Sequence, residues 1–224
     1  PDDCIVDFDM RLIDLFKEMD KKKLTLKMQI RQEYYRVKEL LDGKRPSRMD
    51  LFTYMDDEIY RICVSGSHAK ENPFQHYLDF LYELGELSED EQKLYAGIGR
   101  EFIQTIETTE MQKVYKMPIL YSFYNHGNIR LAVTDEEVLE SWKEFFDTGT
   151  NWKDFPNVNT YEDYKKVTDK QHLSKAKRMP IRFLKASGKG FFVEKDGYAL
   201  ALRDEIGDVV GNMAFGEQMG DVLG

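Results

Sequence analysis

The stretch TDEEVLESWKEFF, residues 134–146, decides how this chain folds. Thr134 followed three residues later by Glu137 forms a capping box, in which side chain and backbone satisfy each other's donors at a helix start. Val138, Leu139, Trp142, Phe145 and Phe146 then recur at spacings of three and four, so one broad face is apolar. Gly149 closes the segment. A helix with this much aromatic surface must be covered by other elements, and the same grammar recurs on both sides of it.

Ser88-Glu89-Asp90-Glu91 is a second capping box, opening a helix through Leu94 and, past Gly97 and Gly99, through Phe102, Ile103 and Ile106. Ser47 with Asp50 caps another, predicted to run through Leu51, Met55, Ile59 and Ile62 to a break at Ser65-Gly66-Ser67. Asn72-Pro73 reads as a cap with proline at the first helical position, leading Phe74, Tyr77, Leu78, Leu81 and Leu84 to Gly85. Towards the N-terminus, Leu12, Leu15, Phe16 and Met19 predict one helix. Met28, Ile30, Tyr34, Val37, Leu40 and Leu41 predict a second, stopped by Asp42-Gly43. Thr160 caps a polar helix from Tyr161 to Lys177.

Elsewhere the pattern changes. Pro118 is expected to end whatever precedes it. Ile119 to Tyr124 reads as a short strand or a buried helical turn, Asn125-His126-Gly127-Asn128 as a turn, and Ile129–Val133 alternates weakly. Ile181–Leu184, Gly190–Glu194 and Tyr198–Arg203 are β-prone runs, and Asp196-Gly197 is a hairpin signal. The expected fold is mainly α (α+β): a helical accessory domain with a small antiparallel β-sheet near the C-terminus. The expected regions are a helical hairpin over 1–66, a helical core over 67–178, a small β-meander over 179–206 and a Gly-rich tail over 207–224, all compatible with one domain.

With 224 residues, 42% hydrophobic and 33% charged, the chain can bury a core and is not composed like a disordered one. No apolar run approaches the roughly 18–20 residues of a membrane span. No charged-then-apolar leader opens the sequence, and Cys4 and Cys63 fit neither a disulfide framework nor a zinc site, so a cytoplasmic protein with reduced thiols is expected. The start at Pro1 and the Gly-rich end are expected of a piece of something longer.

Sequence motifs of catalysis are missing. Ser187-Gly188-Lys189-Gly190 lacks the spacing and the following helix of a phosphate-binding loop, and no Gly-x-Ser-x-Gly, His-Glu-x-x-His or Cys/His cluster occurs. His68, His76, His126 and His172 share no spacing. Asp163-Tyr164-Lys165, with Asp154 upstream, has the acid-x-Lys form of metal-dependent nucleases, but that chemistry needs a strand where this sequence reads as loop then helix. No catalytic residue, metal site or cofactor is therefore expected within this chain.

Charge is the strongest signal. From Lys165 to Lys189 nine cations (Lys165, Lys166, Lys170, Lys175, Lys177, Arg178, Arg182, Lys185 and Lys189) face one acid, Asp169. The block is thus +8 in a chain of formal net charge −9, leaving −17 on the remainder. Such clustering, with His172 among the cations, suits phosphate contact, each neutralised phosphate releasing counterions. Docking onto an acidic neighbouring domain would need the same clustering. Lys44, Arg45 and Arg48 form a second basic turn between two helices. A helix-turn-helix would place Asp50, Asp56, Asp57 and Glu58 against phosphates, so a plain αα-hairpin is the better reading. Lys116-Met117-Pro118-Ile119 and Arg178-Met179-Pro180-Ile181 share a basic-Met-Pro-Ile signature too short to establish a repeat.

Several segments together resemble one family. Asp7-Phe8-Asp9 with Arg11–Phe16, the run Arg45-Pro46-Ser47-Arg48-Met49-Asp50-Leu51-Phe52-Thr53-Tyr54, and Glu107-Thr108-Thr109 through Lys116–Leu120 to Phe123-Tyr124-Asn125 and Gly127-Asn128-Ile129 are similar to the C-terminal, non-motor region of bacterial DEAD/DEAH-type superfamily 2 helicases, some related to restriction-type enzymes. The resemblance runs from about Asp7 to Phe192 and implies kinship, not chemistry. It implies a parent that hydrolyses ATP with magnesium and moves on DNA, both cofactors belonging to motor domains absent here. Partners implied are DNA, with RNA left open, and the motor lobes of the parent chain. The role implied is that of a non-catalytic domain assisting nucleic-acid binding beside the motor, with a protein-docking module as the alternative and a divergent nuclease as a remoter one.

Overall fold

A computed structural model describes residues 24–109, 114–125 and 128–223. The predicted helix over Leu12–Met19, the resemblance over Asp7–Phe16, Cys4 and the tip of the 125–128 turn lie outside the described residues. The chain divides into two compact units, Pro1–Phe74 and Gln75–Gly224. It is mainly helical, with a small three-stranded antiparallel sheet, as the caps and periodicities predict.

In the first unit, α1 (Leu26–Leu40) buries Ile30, Tyr34 and Val37, spaced by four and three, and Asp42 and Gly43 at φ 54° and 80° turn the chain out of it. The Ser47–Asp50 capping box forms as predicted and opens α2 (Arg48–Tyr54). The single helix expected from Ser47 to Ile62 does not form. Met55 turns extended, and Asp56 caps a separate helix, α3 (Asp57–Val64), by accepting from Glu58 N and Ile59 N. Glu33 on α1 explains where the break falls, for its Oε2 accepts from Asp56 N at 2.9 Å. Leu51, Met55, Ile59 and Cys63 complete this unit's buried side, and burial pushes the Cys63 thiol up to about 11.

In the second unit, the helix predicted to open at Asn72-Pro73 starts later. The Asn72 side chain accepts from Phe74 N in a local turn, and α4 spans Tyr77–Leu84, ending on Gly85 at φ 72°. The Ser88 box opens α5 (Glu89–Tyr95); Gly97, extended, separates it from α6 (Ile98–Glu107). Pro118 does not end a helix. It sits in the first turn of α7 (Lys116–Phe123), where proline's missing N–H leaves no bond unmade. A hairpin of β1 (Tyr124–Asn125) and β2 (Asn128–Ile129) and a short β3 (Ala132–Val133) lead to α8 (Asp135–Asp147), with the Thr134 box in place. Ser141 of α8 donates to the Pro118 carbonyl at 2.7 Å, tying α8 to α7. Trp142, Phe146, Phe155 and Tyr164 form one aromatic group of the core; Phe102, Phe191, Phe192 and Phe215 form another.

Residues 161–202 correct three expectations. The polar helix is two, α9 (Tyr161–Lys165) and α10 (Asp169–Ala176), because Thr168 and Gln171 supply a further capping box. Ile181–Leu184 is not a strand. The helix continues through a π-turn, Lys177–Ile181, into α11 (Arg182–Ser187), with Pro180 inside it. The wider π register absorbs the missing proline N–H, and Ile181 and Leu184, three apart, are both buried. The hairpin at Gly197 (φ 81°) does form, joining β4 (Phe192–Val193) to β5 (Leu200–Leu202). Its third strand is the distant β3, so the sheet order is β3-β5-β4 and not a meander within 179–206.

The Gly-rich end is no tail. After α12 (Gly207–Val210), α13 (Met213–Leu223) packs on α5 and α6 through buried Phe215, Met219 and Leu223 at four-residue spacing. Gln218 on α13 donates to Glu91 Oε1 at 2.8 Å inside the core.

Candidate nucleic-acid interface

The basic block lies on α9, α10, the π-turn and α11, and the fold divides its nine cations into two sets. Four are met by acids of the same chain: Lys165 by Glu162 at 2.9 Å, Lys166 by Asp163 at 3.2 Å, Lys177 by Asp135 at 2.6 Å, and Lys185 by Glu194. Asp169, the block's own acid, is taken by Lys143 of α8 at 2.9 Å, which holds its carboxyl below the usual range. Lys170, Lys175, Arg178, Arg182 and Lys189 have no acidic partner among the described residues. Lys175, Arg178 and Arg182 recur at spacings of three and four along one helical rod, and the Arg182 guanidinium lies 5.1 Å from the Phe183 ring centroid. These five are the cations with charge to spare for an anionic partner.

His172 does not belong with them. It is buried, edge-on to Phe155 and Tyr164 with ring centroids 4.9 and 5.6 Å away, and burial, then the nearby Lys143, pushes its pKa down. Arg48 is also withdrawn from the surface: only 7% of it is exposed, while Lys44 and Arg45 beside it are open. Asp50 and Asp56 are spent on helix caps, and the would-be recognition helix is two short ones. The nuclease pattern does not assemble. Asp163 and Lys165 lie two residues apart on a helix, so they point about 200° apart; Asp163 accepts from Thr160 and Lys166, and Lys165 reaches Glu162. Asp154 sits in a separate short turn. Gly188-Lys189-Gly190 follows a helix instead of opening one, the reverse of a phosphate-binding loop.

A cavity of about 640 Å³ opens beside the unpaired cations. Its apolar wall is Tyr115, Pro156, Met179, Pro180 and Phe183; Thr105, Thr108, Thr109 and Ser187 supply hydroxyls, and Lys116 and Lys189 supply charge. Both basic-Met-Pro-Ile segments reach it, since α7 packs on the π-turn. Lys189 is one of few non-glycine residues at positive φ, 49°. That geometry usually falls to glycine after a helix. Gly188 cannot yield its own place, because a Cβ there would lie 2.4 Å from the Phe192 ring and 2.5 Å from the Leu184 carbonyl oxygen. Sequence reading missed this cavity because Thr105–Thr109, Pro156 and Met179–Lys189 meet only through the packing of α6, α7 and α11.

No protein-family model, curated protein or solved structure gives a match to this chain. Function must therefore be argued from the site. Among the described residues no helix is long and apolar enough to cross a membrane, and no group of three or more His, Cys, Asp or Glu is placed to hold a metal ion.

Proposed function

We propose that this chain is a non-catalytic nucleic-acid-binding domain that works beside the motor of a DNA helicase. The observation that carries the binding role is a set of five cations without acidic partners among the described residues, Lys170, Lys175, Arg178 and Arg182 on one helical rod and Lys189 in the turn that ends it, in a chain that is otherwise strongly acidic. An acidic remainder repels a polyanion, so the main contact falls on the rod and its immediate surroundings. The helicase context rests on the resemblance of Arg45–Tyr54 and of the segment from Glu107 to Ile129. Lys44 and Arg45 serve as a secondary phosphate contact.

The test is fluorescence anisotropy with single-stranded, duplex and forked DNA across a salt series. Binding is expected at low salt, with log affinity falling against log salt by roughly 0.7 per phosphate contacted on a single strand. Absence of binding to all three DNAs at low salt overturns the role and leaves docking onto an acidic protein surface as the use of the rod.

A further inference from the structure

We propose that the cavity beside the rod receives an unstacked base of a single strand whose phosphates lie on Arg178, Arg182 and Lys189. This rests on the nucleic-acid reading above and names the form of nucleic acid it takes.

Three independent features of the cavity fit a base. The first is its mouth: Met179 and Phe183, four residues apart on the rod, are 36% and 46% exposed although both are large and apolar. An exposed ring beside unpaired cations is the arrangement by which single strands are held, bases on aromatic faces and backbone on charge. Lining residues and cations interleave here, each of Met179 and Phe183 following an arginine in sequence, so the two sets lie side by side along the helix.

The second feature is the direction of the hydroxyls. Thr105 donates to the Glu101 carbonyl, Thr108 to that of Gln104 and Ser187 to that of Phe183, each at 2.7 Å. With their protons committed to the helix backbone, these oxygens offer lone pairs to a ligand. Ring and exocyclic N–H groups of a base are donors of the matching kind, while Lys116 and Lys189 can donate to its carbonyls or to the adjoining phosphate. A purely aliphatic ligand would leave these polar atoms unused.

The third is the volume, which at about 640 Å³ lies within the range of small-molecule sites and exceeds what a side chain leaves by imperfect packing. A duplex cannot present a base to such a cavity without unpairing it. The inference therefore predicts discrimination by strand state and by the presence of bases, which phosphate contact alone does not give.

The experiment compares a single strand bearing bases with an abasic strand of equal length and charge, across one salt series, for wild type, Phe183→Ala and Phe183→Trp. Wild type is expected to bind the base-bearing strand about tenfold more tightly, in line with stacking measured by alanine substitution elsewhere. Phe183→Ala is expected to remove that preference with the salt slope unchanged, and Phe183→Trp to keep it. Phe183 is exposed, so neither change threatens folding, and coincident thermal melts verify this. Equal affinity of wild type for the two strands, or a preference that survives Phe183→Ala, overturns the base site while the binding role stands. Failure to bind either strand overturns both.

Discussion

The two basic clusters, Lys44–Arg48 in the first unit and Lys165–Lys189 in the second, are alike in sequence and unlike in the folded chain. In the first, Arg48 is buried and the helix it begins is opened by the Ser47–Asp50 capping box, leaving Lys44 and Arg45 as a pair of exposed charges. In the second, intramolecular pairing removes four cations and leaves five, four on one rod and Lys189 in the turn that ends it, beside a cavity. A count of charges along a chain therefore overstates both clusters, but not equally. What decides availability is whether the fold brings an acid within reach, and Asp135 and Glu194 do so from segments the sequence pattern does not connect to the block.

Arg48 gives the largest expected separation between the clusters. Arg48→Ala should lower stability by about 2 kcal/mol, through lost packing of its stem and broken polar contacts, and leave DNA affinity unchanged. Arg182→Ala should do the reverse, lowering affinity with the unfolding midpoint in place. Urea unfolding and anisotropy on the same preparations check both, and a binding defect in Arg48→Ala with normal stability would erase the distinction.

Lys189 sharpens the comparison at a smaller scale. Lys189→Gly relieves a left-handed backbone and removes one cation, so stability should stay level or rise by up to roughly 1 kcal/mol. The single-strand salt slope should fall by roughly 0.7. A variant that is more stable and binds less well would mark the lysine as kept for contact and not for folding.

His172 should have the smallest effect, confined to stability. Its folded pKa is held below the ordinary 6.5 by burial, so the unfolded chain takes up the proton first as pH falls. The stability it permits is present above about 6.5 and is lost as pH drops from there towards the lowered value. Lys143 works in the same direction, and Asp147 and Asp169 oppose it. His172→Phe should flatten that part of the stability profile and leave the pH dependence of DNA binding unaltered. A binding profile that does change would return His172 to the cations.

Much of the fold was legible because capping is local. The boxes at Ser47, Ser88 and Thr134 place helix starts to the residue, and Asp196-Gly197 places the hairpin. What failed was set at a distance. Ile181–Leu184 is too short for alternation to be told from three-residue spacing, and Pro180 counts as a breaker unless a π-turn accommodates it. The glycines of 207–224 argue against a helix, yet burying Phe215, Met219 and Leu223 against α5 and α6 outweighs the propensity cost of Gly216 and Gly220. β3 has two residues and no signal of its own; Val133 and Ala132 become a strand only because Leu200 and Ala201 lie beside them. For the site, the basic block was legible as a whole, but its division into paired and unpaired cations depends on tertiary contacts.

One measurement tests that division directly: the salt slope of single-strand binding for two charge-neutralised variants. One carries glutamine at Lys170, Lys175, Arg178, Arg182 and Lys189; the other carries it at Lys165, Lys166, Lys177 and Lys185. The first should lose most of the slope, roughly 3.5 for five contacts, and the second should change it by less than about 1. Equal losses in the two variants, or a larger loss in the second, would contradict the assignment of binding to the unpaired set.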